Sequence, residues 1–362
     1  MARSISIPLI GLAVLLLLQD DSLADHPLEH DPTGINWAFS LEEARARATE
    51  EGRIVILKPV AFRSSTDSTE LSPSTEALRA VSLVDSRVVN LLNRRFVVYY
   101  FSMDELSSQY DAQAAALSRK LHPDMRYLAS MPTPPMLFMT AEGKMLGHAS
   151  NFLLPDDLLE YLTGKLDENP AYAQLTPAEK AVEDAVQRAW VHYELRQFES
   201  AIELLENQQS SDAFYLRGLI AREQLEWPEM KAAFKMVTDS ARLNDIKLDQ
   251  ALRYWELRNF EGIKAHLEGV RPDHPRYQEA MYYLGLAWFH TDDREKALEL
   301  WEAALRHDRS SAWALRLDWT FGLASLNPDE YLSPTDKPPS LLGRRYLTPD
   351  GNPDLSHLHR TR

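Results

Sequence analysis

The residues whose types could do chemistry are Ser64, Ser65, Thr66 and Asp67, inside the polar stretch AFRSSTDSTELSPST (61–75). A hydroxyl beside a carboxylate suggests acyl transfer, but a serine nucleophile needs a base to take its proton and a strained turn to present it. The chain has no G-x-S-x-G elbow, and no histidine lies close to this run in sequence. His26 and His30 stand four apart, a spacing that lets two imidazoles share a metal on a helix. Prolines at 27 and 32 favour a solvated coil there instead. Thr291, Asp292 and Asp293 read as a turn that caps the following helix. There is no Walker A loop, no G-x-G-x-x-G after a strand and no H-E-x-x-H. Zero cysteines exclude disulfides, thiolate metal sites and thiol catalysis. The expectation is a protein that is not an enzyme and needs no cofactor or metal.

At 362 residues the chain has room for two domains, and a hydrophobic fraction of 44% with 9% aromatics supplies real cores. A net charge of −15 argues against nucleic acid or anionic lipid as partner, because phosphates would be repelled. The N-terminus reads as a secretory signal peptide over 1–24: MARS, then ISIPLIGLAVLLLL, then QDDSLA with Ser22 and Ala24 at the −3 and −1 positions. Cleavage is expected before Asp25, giving a periplasmic or extracellular protein. Retention of the segment as an anchor is the alternative, although its apolar stretch is shorter than the roughly 20 residues a span needs.

The polar residues 25–34 form a lead-in, and a domain over 35–168 follows. Ser40 is a good N-cap with Glu43 three residues on, and Gly52 closes the helix. RIVILKPV (53–60) and FVVYYFSMD (96–104) are continuous apolar runs, as central strands covered on both faces should be. Helices are expected over 76–94, 105–120 and 154–166. PPMLFMT (134–140) and MLGHAS (145–150) make a hairpin across Ala141–Lys144. This alternation predicts a three-layer α/β domain.

From 169 to 327 the pattern is helical and repeats. Ala189, Gly218, Ala251 and Gly285 occupy corresponding positions on the first helix of each unit, at steps of 29, 33 and 34 residues. Ala201, Met230, Ile263 and Ala297 follow with the same steps on the second helix. A helix-turn-helix period of 34 is the tetratricopeptide signature, in which small residues let helices approach without a void. SAWALRLDWTFGLASL (311–326) should cap the stack, and residues 328–362 should be a flexible tail. Tyr254 and Trp288 fall at one repeat-equivalent position, as a candidate peptide-binding pair on the concave face or as inter-helix core.

Residues 35–166 resemble the thioredoxin superfamily, most closely its exported, thioredoxin-7-type domains. The opening Trp37, Glu42 and Ala44, then Glu51-Gly52-Arg53, is similar to the family's start, and MPTPPMLFMTAEGKMLG (131–147) resembles its cis-proline segment. The resemblance implies Pro132 as the cis residue, with Thr133 after it. It would place the family's C-x-x-C cysteines on Ser64 and Asp67. A hydroxyl ionises far too weakly to replace the thiolate, so thiol–disulfide exchange is excluded. The resemblance also implies that Met131 offers its backbone N–H and C=O to an extended peptide. The competing reading is that Pro132 only shapes the core.

The expected function is an exported adaptor or chaperone-like scaffold. It would bind a protein or peptide partner through the groove of the stack, with the cis-proline face as a second contact. The alternative is an auxiliary subunit of an envelope redox or other enzyme complex. The sequence leaves the oligomeric state open.

Overall fold

The computed structural model describes residues 31–60, 78–102, 136–149 and 153–325. The signal segment 1–24, Ser64 to Asp67, the helix expected over 105–120, Met131 to Thr133 and the tail 328–362 lie outside the described residues.

The N-terminal half is a five-stranded mixed sheet in the order β1-β3-β2-β4-β5. The strands are β1 (Trp37–Ala38), β2 (Ile54–Val60), β3 (Phe96–Ser102), β4 (Met136–Met139) and β5 (Met145–Ala149). β1 and β2 run parallel to β3, whereas β4 runs antiparallel to both β2 and β5. Ile56 sits between Val98 of β3 and Phe138 of β4, so the two expected central strands are central. Alternation along β2 sends Val55 and Leu57 to one face, where Leu41, Ala44 and Ala48 of α1 (Leu41–Glu51) cover them. Ser40 accepts the Glu43 N–H at 3.0 Å and Gly52 ends α1 at φ 63°. Ile54, Ile56 and Phe138 take the other face, where Tyr161 of α3 (Pro155–Glu168) packs on Phe138 with ring centroids 5.1 Å apart. Lys58 follows Ile56 on that face and is buried, which pushes its ammonium down to about 7.

One expected element is corrected. The single helix over 76–94 is broken: residues 78–81 are helical, a turn follows, and α2 (Ser86–Arg95) starts afresh. Asp85 causes the restart, because its carboxylate accepts the Arg87 N–H at 2.9 Å as an N-cap.

The described residues beyond 169 are built of helices. The short α4 (Pro170–Ala173) and α5 (Pro177–Lys180) lead into four helix pairs: α6 (Ala185–Glu194) with α7 (Phe198–Leu205), α8 (Ser211–Glu223) with α9 (Trp227–Lys235), α10 (Arg242–Glu256) with α11 (Phe260–Leu267), and α12 (Tyr277–Phe289) with α13 (Arg294–His307). α14 (Ala312–Ser325) closes the stack.

The small first-helix residues face second-helix side chains of matched size. Ala189 shares a core with Leu205, and Ala251 with Leu267. Gly218 lies under the ring of Phe234 and Gly285 under the indole of Trp301. A larger second-helix side chain is therefore met by a smaller first-helix residue, so each unit keeps a filled interface.

The turn inside each unit is also repeated. Arg196, Leu225, Arg258 and Asp292, at φ 54–62°, are the non-glycine residues with positive φ among those described. They occupy one repeat-equivalent turn position, at the same steps as the helix residues. In each turn the next N–H reaches back five residues, as in Gln197 to His192 at 2.9 Å and Asp293 to Trp288 at 3.0 Å.

Candidate functional site

The sheet domain is packed against the solenoid rather than tethered to it. Trp319 of α14 is buried against Ala80 and Val81. At the other end of the stack, Arg95 donates to Glu179 of α5 at 2.7 Å, and Arg94 pairs with both Glu179 and Glu194 of α6. Burial alone would raise the Glu179 carboxyl, but the Arg95 hydrogen bond and the Thr176 cap hold it below the usual range.

Between these anchors lies a cleft of about 990 Å³. One wall is α3, whose Asp156, Glu160, Thr163 and Asp167 share the face turned to the opening. The facing wall belongs to first helices of successive repeats, with Leu252 and Trp255 of α10, Tyr282, Tyr283 and Leu286 of α12, and Trp313 of α14. The rings touch each other: Tyr282 and Trp313 centroids are 5.6 Å apart, Trp255 and Tyr283 6.2 Å.

The inner end of the cleft is an ion network spanning both halves. Arg87 of α2 holds Asp85 at 2.8 Å, Asp156 of α3 at 3.0 Å and Glu223 of α8 at 3.2 Å. Glu223 also meets Arg196 at 2.9 Å and Arg222 at 2.8 Å. Arg222 continues to Asp249 at 2.7 Å, and Asp249 accepts from Arg276 at 3.1 Å and from the Tyr215 hydroxyl at 2.8 Å. Burial would raise the Glu223 carboxyl, but the guanidiniums of Arg87, Arg222 and Arg196 hold it far below the carboxylate range. Burial and the Asp249 carboxylate push the Tyr215 phenol up, and burial pushes Tyr193 up to about 12.

Tyr254 and Trp288 do not line this cleft. The Tyr254 ring lies over Gly262 and beside His266, and Trp288 carries the Lys264 ammonium 3.9 Å above its ring. The neighbouring Trp255 lines the cleft instead, because one residue turns a side chain by about 100° around a helix. Ser64, Asp67, Met131, Pro132 and Thr133 fall outside the described residues, so no geometry places them.

The charged network was missed in the sequence reading, although a signal for it exists. Glu194, Glu223 and Glu256 end the first helices of three successive units, and the runs ELRQF (194–198) and ELRNF (256–260) are nearly identical. A recurring acid at a helix C-terminus, where the dipole disfavours it, signals a cation from elsewhere.

Among the described residues no group of three metal-capable side chains is found, and no helix is long and apolar enough to cross a membrane. Comparison with known families matches residues 279–311 to the tetratricopeptide repeat, which covers most of α12 and all of α13. A comparison with curated proteins finds no match. The helical half therefore holds a tetratricopeptide repeat, a unit whose presence suggests protein partners.

Proposed function

We propose that this chain is a non-catalytic interaction scaffold, in which a cysteine-less thioredoxin-like domain and a tetratricopeptide stack together hold a protein or peptide partner. The observation that carries the reading is the cleft itself, with one wall from each half and a volume of about 990 Å³. That is the upper end of ordinary ligand sites and suits several residues of an extended chain. Among the described residues its lining contains no histidine or lysine, and its inner carboxylates are engaged by arginines.

The thioredoxin-like assignment is supported by the strand order, with β4 antiparallel to both β2 and β5, and by helices on both sheet faces. The N-terminal segment supports export to the periplasm or beyond. The adaptor role then follows from the repeat type and from the ring-lined wall of the cleft.

Chemical crosslinking of the full chain in its native compartment, followed by mass-spectrometric identification, tests the proposal. A small set of stoichiometric partners is expected, with no turnover of thiol, ester or peptide substrates by the purified chain. Absence of any crosslinked partner, or catalytic turnover by the pure protein, would overturn it.

A further inference from the structure

The scaffold reading leaves the chemistry of the partner open, and the repeat register supplies it. Glu194, Glu223 and Glu256 are equivalent carboxylates at the ends of α6, α8 and α10. The first is met by Arg94 and the second by Arg87, both arginines of the sheet domain's α2. The third, Glu256, lines the open part of the cleft and receives no arginine from the sheet domain among the described residues. Its one ion pair there is with Arg253 of its own helix, at 3.5 Å. Partial burial at the cleft wall keeps its carboxyl above the usual range although its side chain stays 44% exposed, and Asp156 across the cleft adds to that, so a cation arriving there would relieve both.

The opposite wall repeats the pattern. Asp156 on α3 is neutralised by Arg87, but Glu160 one turn on and Asp167 two turns further carry no ion pair among the described residues. Among the described lining residues the one exposed arginine is Arg258, whose guanidinium stands 5.0 Å over the Trp255 ring. That stacking also shows that Trp255 accepts a cation on its face.

We infer that the cleft takes an extended basic segment of a partner protein, with an arginine or lysine seated between Glu256 and Glu160 as the third rung of the ladder that Arg94 and Arg87 begin. Glu160 and Asp167 are separated by about 10.5 Å along α3 at 1.5 Å per residue, close to the roughly 10 Å spanned by three residues of extended chain. A segment with basic residues three apart therefore meets both. The chain's net charge of −15 would steer such a segment toward it. This inference rests on the scaffold reading and names the partner's chemistry.

The probe is a fluorescein-labelled dodecapeptide carrying two arginines three residues apart, titrated into the full chain by fluorescence anisotropy. Saturable, salt-sensitive binding is expected, weakened roughly tenfold or more by Glu256→Gln and by Glu160→Gln, since each removes a charge-assisted contact. Both residues are exposed, so unchanged melting temperatures should accompany the loss. Equal binding of the same peptide with glutamates for arginines, or affinities within twofold for both variants, would overturn the inference. Binding that appears only after residues 328–362 are removed would seat the chain's own tail there and also overturn it. A peptide that fails to bind while crosslinking still captures a partner would refute the basic segment and leave the scaffold standing. Failure of both would refute both.

Discussion

Glu223 is the residue on which the junction between the two halves should depend most. Its carboxylate is 4% exposed and meets three guanidiniums, on Arg87, Arg196 and Arg222. In Glu223→Gln, Arg87 keeps Asp85 and Asp156, and Arg222 keeps Asp249, but among the described residues Arg196 is left with no carboxylate and only the Phe198 ring. Removing one partner of a buried pair typically costs about 3–5 kcal/mol. The matched control is Glu194→Gln, whose carboxylate is 22% exposed and faces an Arg94 that is 31% exposed. That substitution should cost about 1 kcal/mol or less. The pH dependence follows from the direction of the shift. The Glu223 carboxyl titrates lower in the folded chain than in the unfolded one. Its contribution is therefore complete above the ordinary carboxylate value near 4.5 and disappears as pH falls toward its depressed folded value. Urea denaturation followed by tryptophan fluorescence at pH 7, 5, 4 and 3 reads both quantities. Wild type and Glu223→Gln should differ by several kcal/mol at pH 7 and 5 and converge toward pH 3. A Glu223→Gln cost no larger than that of Glu194→Gln, or a gap that stays constant down to pH 3, would refute the reasoning.

Other consequences concern the packing. Gly285→Ala would put a Cβ within 2.7 Å of Trp301 Cδ1, and the indole is fixed by its hydrogen bond to the Tyr282 carbonyl at 3.1 Å. The cost should be about 1–3 kcal/mol in wild type and near zero in a Trp301→Leu background, which recreates the Ala–Leu pairing of other units; a double-mutant cycle measures this coupling. Leu225 holds φ 61° while 63% exposed, so Leu225→Gly should raise stability by about 0.5–1 kcal/mol in the same urea assay. Lys58 titrates near 7 when buried, below its unfolded value, so the unfolded chain binds the extra proton between those values. Stability should therefore rise from pH 7 to pH 9 in wild type, and this rise should be absent in Lys58→Met, as paired melting curves would report.

The strands and repeats were legible because each depends on a period within one segment. Ile54 to Leu57 needed only an apolar run between turns, and the four helix pairs needed only Ala189, Gly218, Ala251 and Gly285 in step. The break at Asp85 was less legible, since an aspartate inside a helical pattern is common and only its hydrogen bond to the Arg87 N–H reveals a cap. The cleft was not legible. Which face of the solenoid receives α2 and α3 is decided by contacts between distant segments, and periodicity within a helix does not encode them. Tyr254 and the cleft-lining Trp255 differ by one residue in helical phase, and periodicity alone does not say which face of the stack lies opposite the sheet domain. Glu194, Glu223 and Glu256 were present in the sequence as a series, but their meaning required the arginines of α2.

The central claim is that partners are held in the cleft between the two halves, and site-specific photocrosslinking tests it most directly. A photoreactive residue in place of Leu225, exposed on the cleft lining, would be compared with one in place of Ile202, which is 44% exposed on α7 and not part of that lining. Partner adducts from position 225 and none from position 202 are the predicted result. Adducts from position 202 with none from 225 would contradict the account.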